Sequence, residues 1–294
     1  MHNAWPILLV LGIALAEPVS RWLAAASWTE RDPVGALILW QAIGLAGGLS
    51  LLGAGVTFGL APLGDGLLAA GRAILDGQLH DLGLLHDVVL AVTLLVAAWL
   101  LGVLALITTR TLRARRKHRD LLDVLATPWP SASGAHVLDH PVPVAYCLPG
   151  PRSRLVVSAG AVSTLAQSEL DAVLAHERAH LRERHDVVVL PFVAWGATAR
   201  WVPGMRAAQR AVARLIEMRA DDVAAGEVGS AELAGALRSV AGGAESAALT
   251  QFSASMGERL LRIESPPEPL PRSARFAVRG AAVALVVVPT LLLL

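Results

Sequence analysis

Charge is scarce in this sequence. Asp, Glu, Lys and Arg make up 17% of its 294 residues, against 54% hydrophobic residues. Soluble domains carry about 25% charged residues, so the chain has too little polar surface to be wholly soluble, and its clustered apolar residues point to membrane spans. Cysteine is nearly absent. The single thiol, Cys147, can form no internal disulfide and no zinc–thiolate cluster. It reads as a small semi-buried residue, with a redox or regulatory thiol as the other reading. Net charge is nearly absent too: +1 overall gives no argument for a nucleic-acid or acidic partner. No internal repeat is visible.

What is present is long apolar stretches, three of them in the first 110 residues. The first, Trp5 to Ala26, is interrupted by Glu17 and Arg21, which at i and i+4 can pair on one helix face. Ala14-Leu15-Ala16 resembles a signal-peptide cleavage site, but no Lys or Arg precedes the run, so the usual positive n-region is missing and a retained span is expected. The second, Pro33 to Leu60, and the third, Val88 to Thr109, are uncharged and exceed the roughly 20 residues needed to cross a bilayer. Arg110 to Arg119 follows with six Lys/Arg and no acid, a cytoplasmic marker by the positive-inside rule. The loop before the third span carries Asp65, Asp76, Asp81 and Asp87 against Arg72 alone. Its lack of Lys/Arg places it outside, and the N-terminus with it. The polar part, Asp120 to Arg275, is then cytoplasmic. It is bounded by a turn-rich linker, Thr127-Pro128-Trp129-Pro130-Ser131, and by Ser265-Pro266-Pro267-Glu268-Pro269, a semi-rigid connector. A fourth apolar run, Phe276 to Leu294, contains Pro289 and puts the C-terminus outside.

Within the polar part, Ser168-Glu169-Leu170-Asp171 fits a helix start with Ser168 as N-cap. Leu170, Val173, Leu174 and Leu181 continue at helical spacing. His176 and His180 are four residues apart, so both imidazoles project from one face and two ring nitrogens can reach one Zn²⁺ at about 2.0–2.1 Å. Glu177, about 100° around the helix, can act on a water there as general base without ligating. His-Glu-x-x-His alone has false positives, and a polar helix surface among Arg178, Arg182, Glu183 and Arg184 is the bland reading. A catalytic zinc needs a third protein ligand. A second helix, Arg206 to Ala225 and ended by Gly226, offers Glu217 and Asp221 on one face. Glu217 can ligate, and Asp221 can fix a ligand histidine's tautomer from behind. The bland reading pairs Glu217 with Arg214 or Arg210 on the surface. Val212, Leu215, Ile216 and Val223 argue instead that one face of this helix is buried, and a buried carboxylate needs a partner.

The segment Leu174-Ala175-His176-Glu177-Arg178-Ala179-His180-Leu181-Arg182-Glu183-Arg184-His185-Asp186 resembles the active-site helix of the M56 peptidases, the BlaR1/MecR1-type membrane proteases. Glu217-Met218-Arg219-Ala220-Asp221 resembles the stretch that supplies the third ligand there and in the related M48 group. Ala145 to Gly150 and Leu155 to Ser158 are similar to family segments as well. The resemblance implies a mainly α fold: multi-pass transmembrane helices plus a cytoplasmic zincin-like (gluzincin) α+β protease domain. It implies His176, His180 and Glu217 on zinc, Glu177 as catalytic base, and proteolysis in signalling, often beside a repressor. The sequence ends at Leu294, so a C-terminal penicillin-binding sensor is not expected. Asp222 adjoins Asp221 and is the alternative for the orienting acid.

The expected domains are 1–110 (three spans), 111–275 (protease) and 276–294 (fourth span), in the cell membrane. The expected partners are a protein substrate, possibly a repressor, and the lipid bilayer. Two other readings stand beside this one: an M48-like quality-control protease of membrane proteins, and a non-enzymatic receptor or scaffold. Leu155 to Ser158 reads as a short strand that can align substrate by strand addition. His185, Tyr146 and several Arg are candidate oxyanion donors. His185 is turned about 140° from His180 and is not expected to ligate. His136 and His140 read as surface loop residues. Val187 to Val202, with Pro191 and Gly196, reads as core or membrane-surface packing against the active-site cleft.

Overall fold

A computed structural model describes residues 4–64, 66–77, 82–130, 134–150, 153–242 and 249–294, without the side chains of 241–242 and 249–255. Asp65, Asp81 and Ser131, used above, lie outside the described residues. In chain order the elements are α1 (Ala4–Ala14), a π turn (Leu15–Val19), α2 (Ser20–Ala24), α3 (Pro33–Gly59), α4 (Leu67–Leu75), α5 (Leu84–Leu125), β1 (Ala126–Pro128), β2 (Ala135–Leu138), β3 (Ala145–Leu148), β4 (Arg154–Ser158), α6 (Ala159–Thr164), α7 (Gln167–Arg182), α8 (His185–Val188), α9 (Leu190–Thr198), α10 (Pro203–Val228), α11 (Ser230–Gly242), α12 (Leu249–Glu264) and α13 (Arg272–Leu293). The chain divides into two units, one of residues 1–107, 191–212 and 270–294, the other of 108–190 and 213–269. Residues 191–212, within the expected 111–275 segment, thus group with the apolar helices.

In the first unit α3 packs against α1 and α13. Asp32 caps α3, its carboxylate accepting from Gly35 N at 3.1 Å, and Pro33 fills the first helical position, where its missing N–H costs nothing. Small residues let helices approach: the Gly53 backbone is so near Leu293 that an added Cβ would lie 2.6 Å from its side chain. Pro18 cannot donate to the helical ladder, and the chain answers with the π turn, where Ser20 Oγ donates to Leu15 O at 2.6 Å. Glu17 meets Arg21 at 3.4 Å as its spacing predicts. Its other oxygen accepts from Gly204 N at 2.6 Å, at the start of α10. Residues from Pro191 onward also pack in this unit: Trp195 lies over Gly44, and Gln209 donates to Phe192 O at 2.6 Å. Among the described residues, four helical stretches are long and apolar enough to cross a membrane: Ala4–Ala24, Pro33–Gly59, Leu84–Leu125 and Arg272–Leu293. The third is longer than the apolar run because Arg110 to Arg119 continues it as helix. None of its apolar window is buried, with Leu94, Leu95, Trp99 and Leu101 all exposed, which suits contact with hydrocarbon.

The second unit is built on a mixed four-stranded sheet of order β1-β2-β4-β3. The β2–β4 pair is parallel; β1–β2 and β3–β4 are antiparallel. The expected linker at Thr127 is in part β1. Pro128, opposite His136, is tolerated because an edge strand needs no ladder N–H on its outer side. His136 accordingly sits in β2, not in a loop, while His140 is an exposed loop residue whose Nδ1 accepts from Val142 N at 3.2 Å. Leu155 to Ser158 is a strand, as expected, but an interior one. Its unbroken apolar run is what burial on both faces requires. On one face Leu155 and Val157 pack with Leu165, Leu170 and Leu174; on the other Val156 packs with Leu122, Ala126 and Leu148. The edge beside α7 is β3.

α7 begins at Gln167 after Ala166, one residue before the expected cap Ser168. Ala166 has no side-chain oxygen, so its own N–H is satisfied by Glu169, at 3.0 Å. Glu169 also accepts from Ser239 Oγ at 2.8 Å. Ala172 and Ala175 of α7 pack with Ala224, Leu233, Ala236 and Ile263, small residues that let α7, α10, α11 and α12 close together. α10 runs past Gly226, which is helical, and ends before Gly229, whose φ of 102° suits a residue without Cβ.

Candidate metal centre

His176 and His180 rise from one face of α7, and Glu217 meets them from α10. Their Nε2 atoms are 3.1 Å apart. Glu217 Oε2 is 3.5 Å from His176 Nε2, and Glu217 Oε1 is 3.6 Å from His180 Nε2. Three ligands of a tetrahedral ion at about 2.0–2.1 Å stand about 3.3–3.4 Å from one another, so this triangle has the edge lengths zinc requires. The three side chains could therefore hold one metal ion.

Behind His176, Nδ1 lies 3.0 Å from Asp221 Oδ1, close but not in line for an ideal hydrogen bond. Asp221 is 2% exposed and is held by Arg259, whose Nε and Nη2 each donate at 2.7 Å. Burial works against the Asp221 carboxylate, yet Arg259 and His176 override it and keep its pKa below the ordinary aspartate range. Burial likewise lowers His176, but Asp221 and Glu217 outweigh it and lift the imidazole to about 9. Burial, then the neighbouring His176, pushes His180 down to about 4. Asp222 instead pairs with Arg262 and takes no part, which decides between the two adjacent acids.

Arg259 escaped the sequence reading. The signal was there: a buried aspartate beside a histidine still needs a cation. Its Nη1 also sits 3.2 Å from Glu217 Oε2, so one guanidinium braces both carboxylates of α10. His185 does not join the ligand triangle, but it is not remote. Arg184 adopts a left-handed conformation (φ 54°), and this reversal sets the buried His185 with Nδ1 3.0 Å from His180 Nδ1. Glu183 lies 3.4 Å from His185 Nε2 and is itself held by Arg219 through contacts of 2.5–3.0 Å. Each histidine of the triangle thus has a group behind its outer nitrogen. Tyr146 is no oxyanion donor here: its hydroxyl lies 2.9 Å from His118 Nε2, and its ring packs with Leu122 and Val156 on the far face of the sheet.

Glu177 faces β3. Burial raises its pKa above the ordinary glutamate value, against the pull of His176 and of the thiol and backbone N–H of Cys147, which face its carboxylate. The same contact changes the reading of Cys147: burial, then Glu177, pushes the thiol up to about 12. It is a protonated neighbour of Glu177, not a thiolate. Native protein at pH 8 is therefore expected to react with iodoacetamide at least ~100-fold more slowly than an exposed thiol, whose pKa is about 8.5; alkylation at the unhindered rate would contradict this placement.

The Peptidase family M48 model matches residues 108–202, a segment that holds the sheet, both histidines and Glu177 and stops before α10. No curated protein and no solved structure matches the chain. The M56 assignment expected from the motif therefore gains no support of its own, whereas the His-His-Glu group and the M48-type segment agree on one chemistry: the protein is a zinc-dependent metallopeptidase, a hydrolase.

Proposed function

We propose that the protein is a membrane-anchored zinc endopeptidase whose catalytic unit faces the cytoplasm, with both termini outside. The supporting observation is the triangle of His176, His180 and Glu217, brought together from two helices, with Glu217 37 positions after His180. In this reading those three hold the ion and Asp221 orients His176. Zinc supplies Lewis acidity, acidifying water and polarising a carbonyl. Glu177, outside the triangle and raised toward neutrality by burial, takes the proton from the attacking water and returns it to the leaving amine.

The substrate backbone adds to the edge of β3. Ser158 N donates to Val144 O at 2.9 Å, so Val144 and Ser158 form a hydrogen-bonded pair, and alternation along the ladder turns Ala145 and Cys147 outward. This replaces the interior strand β4 in the role expected from sequence. The M48 match favours turnover of membrane-associated proteins over cleavage of one repressor.

Purified full-length protein is expected to contain about one zinc per chain, to lose casein hydrolysis on chelation, and to regain it with added zinc. His176→Ala is expected to lose the metal. A metal-free, inactive native protein would return the scaffold reading. Substrate capture in cells separates the rest, since a single cleaved transcriptional repressor would replace the turnover reading by the signalling one.

A further inference from the structure

We infer that the cleft selects its peptide through one apolar side chain of leucine to phenylalanine size, held in a cavity beside Glu177. This rests on the endopeptidase reading and adds a substrate class to it. The cavity has a volume of about 170 Å³. Its lining combines His176, Glu177, Glu217 and Arg259 with Leu165, Val173, Leu233, Leu237, Val240 and Met256. These six side chains come from the end of α6 and from α7, α11 and α12, so packed helices set the pocket's shape.

The chemistry of the occupant follows from what the walls lack. All six are apolar, and the Arg259 guanidinium is already committed to Asp221 and Glu217. A charged side chain held among these six walls would lose its hydration, a cost of several kcal/mol in an apolar site. Size follows from volume. An apolar cavity of about 150 Å³ accommodates benzene, so a side chain of Leu, Met or Phe size fits here. The position follows from β3. Val144 and Ala145 line the same cavity, so a peptide paired along this edge passes its mouth within reach of Glu177.

The test uses zinc-loaded full-length protein in detergent micelles and peptides that differ at one position through Gly, Ala, Leu, Phe, Trp, Asp and Lys. At one position next to the scissile bond, kcat/KM for Leu or Phe is expected to exceed that for Ala at least ~10-fold, since a single methylene in such a pocket is worth about 10–200-fold. Asp and Lys should rank last. Val240→Phe, which fills the pocket, should lower the Leu-to-Ala ratio at least ~10-fold. Leu237→Ala, which enlarges it, should raise Trp relative to Leu. Zinc content and the unfolding midpoint establish that each variant is folded. A flat profile, or variants that change every peptide by the same factor, overturns the pocket while leaving the endopeptidase reading intact. The zinc-loaded Glu177→Gln protein gives an independent measurement: fluorescence anisotropy should show the Leu peptide bound at least ~10-fold more tightly than the Ala peptide, and equal affinities overturn the proposal. If wild-type protein cleaves none of the peptides, the endopeptidase reading fails and the binding measurement alone decides the pocket.

Discussion

Glu177→Gln is expected to lower kcat by about 10²–10⁴-fold, the usual contribution of a positioned general base, while zinc content stays at the wild-type level. The two halves of this expectation come from different geometry. Zinc is retained because Glu177 is outside the His176–His180–Glu217 triangle. Rate is lost because Gln keeps the shape and can still accept from the Cys147 N–H, but has no carboxylate to take a proton. A further signature follows from the coupling with Cys147, whose thiol is raised partly by the Glu177 charge: removing that charge should speed alkylation of Cys147. A variant with full proteolytic activity would rule out this mechanism, and a variant that lost its zinc would place Glu177 in the ligand set.

Arg259→Leu should produce the largest loss of stability. Asp221 is 2% exposed, and its two charge-assisted bonds from Arg259 would both vanish, leaving Glu217 without its guanidinium contact as well. Breaking a buried pair by deleting one partner costs about 3–5 kcal/mol. At about 2–4 °C per kcal/mol for a chain of this size class, the unfolding midpoint of the zinc-free protein should fall by on the order of 10 °C. The double variant Arg259→Leu/Asp221→Leu should recover much of that loss, because it leaves no orphaned charge, though it leaves His176 unbraced. Additive effects in this double-mutant cycle would mean that the pair does not act as a unit. The double variant should also bind zinc about 10–100-fold more weakly, as expected when the group behind a ligand histidine is lost.

The catalytic triangle was legible because helical spacing is a local property. His176 and His180 share a face whatever the rest of the chain does, and Glu217 and Asp221 follow the same rule on α10. The four apolar helices were legible for a similar reason, since length and composition suffice. Long-range pairing was not. The edge role fell on β4 in the sequence reading because Leu155-Val156-Val157 is the strongest strand signal, yet that strength reflects burial on both faces and so marks an interior strand. β3 has the weaker pattern, which is the pattern of an edge. Arg259 was missed because nothing local ties an arginine near the C-terminus of α12 to an aspartate 38 residues earlier. The Ser168 cap failed by two residues, the cap being Ala166 with its N–H satisfied by Glu169, and Gly226 misled because a glycine inside a helix costs only about 1 kcal/mol and need not end it.

The Cys147 N–H that faces Glu177 and the outward-turned Ala145 belong to one short strand. Two residues of extended chain separate them, about 6.8 Å. In the proposed reading Glu177, carried on α7, therefore faces the same element that sets the alignment of an incoming chain. A peptide that pairs one residue out of step is displaced by about 3.4 Å, more than the reach of a hydrogen bond, and presents the opposite set of side chains to the cavity. In the proposed reading strand β3 acts as a gauge: the choice of scissile bond is made by counting residues from Ala145, and sequence preference enters through whichever side chain that count delivers.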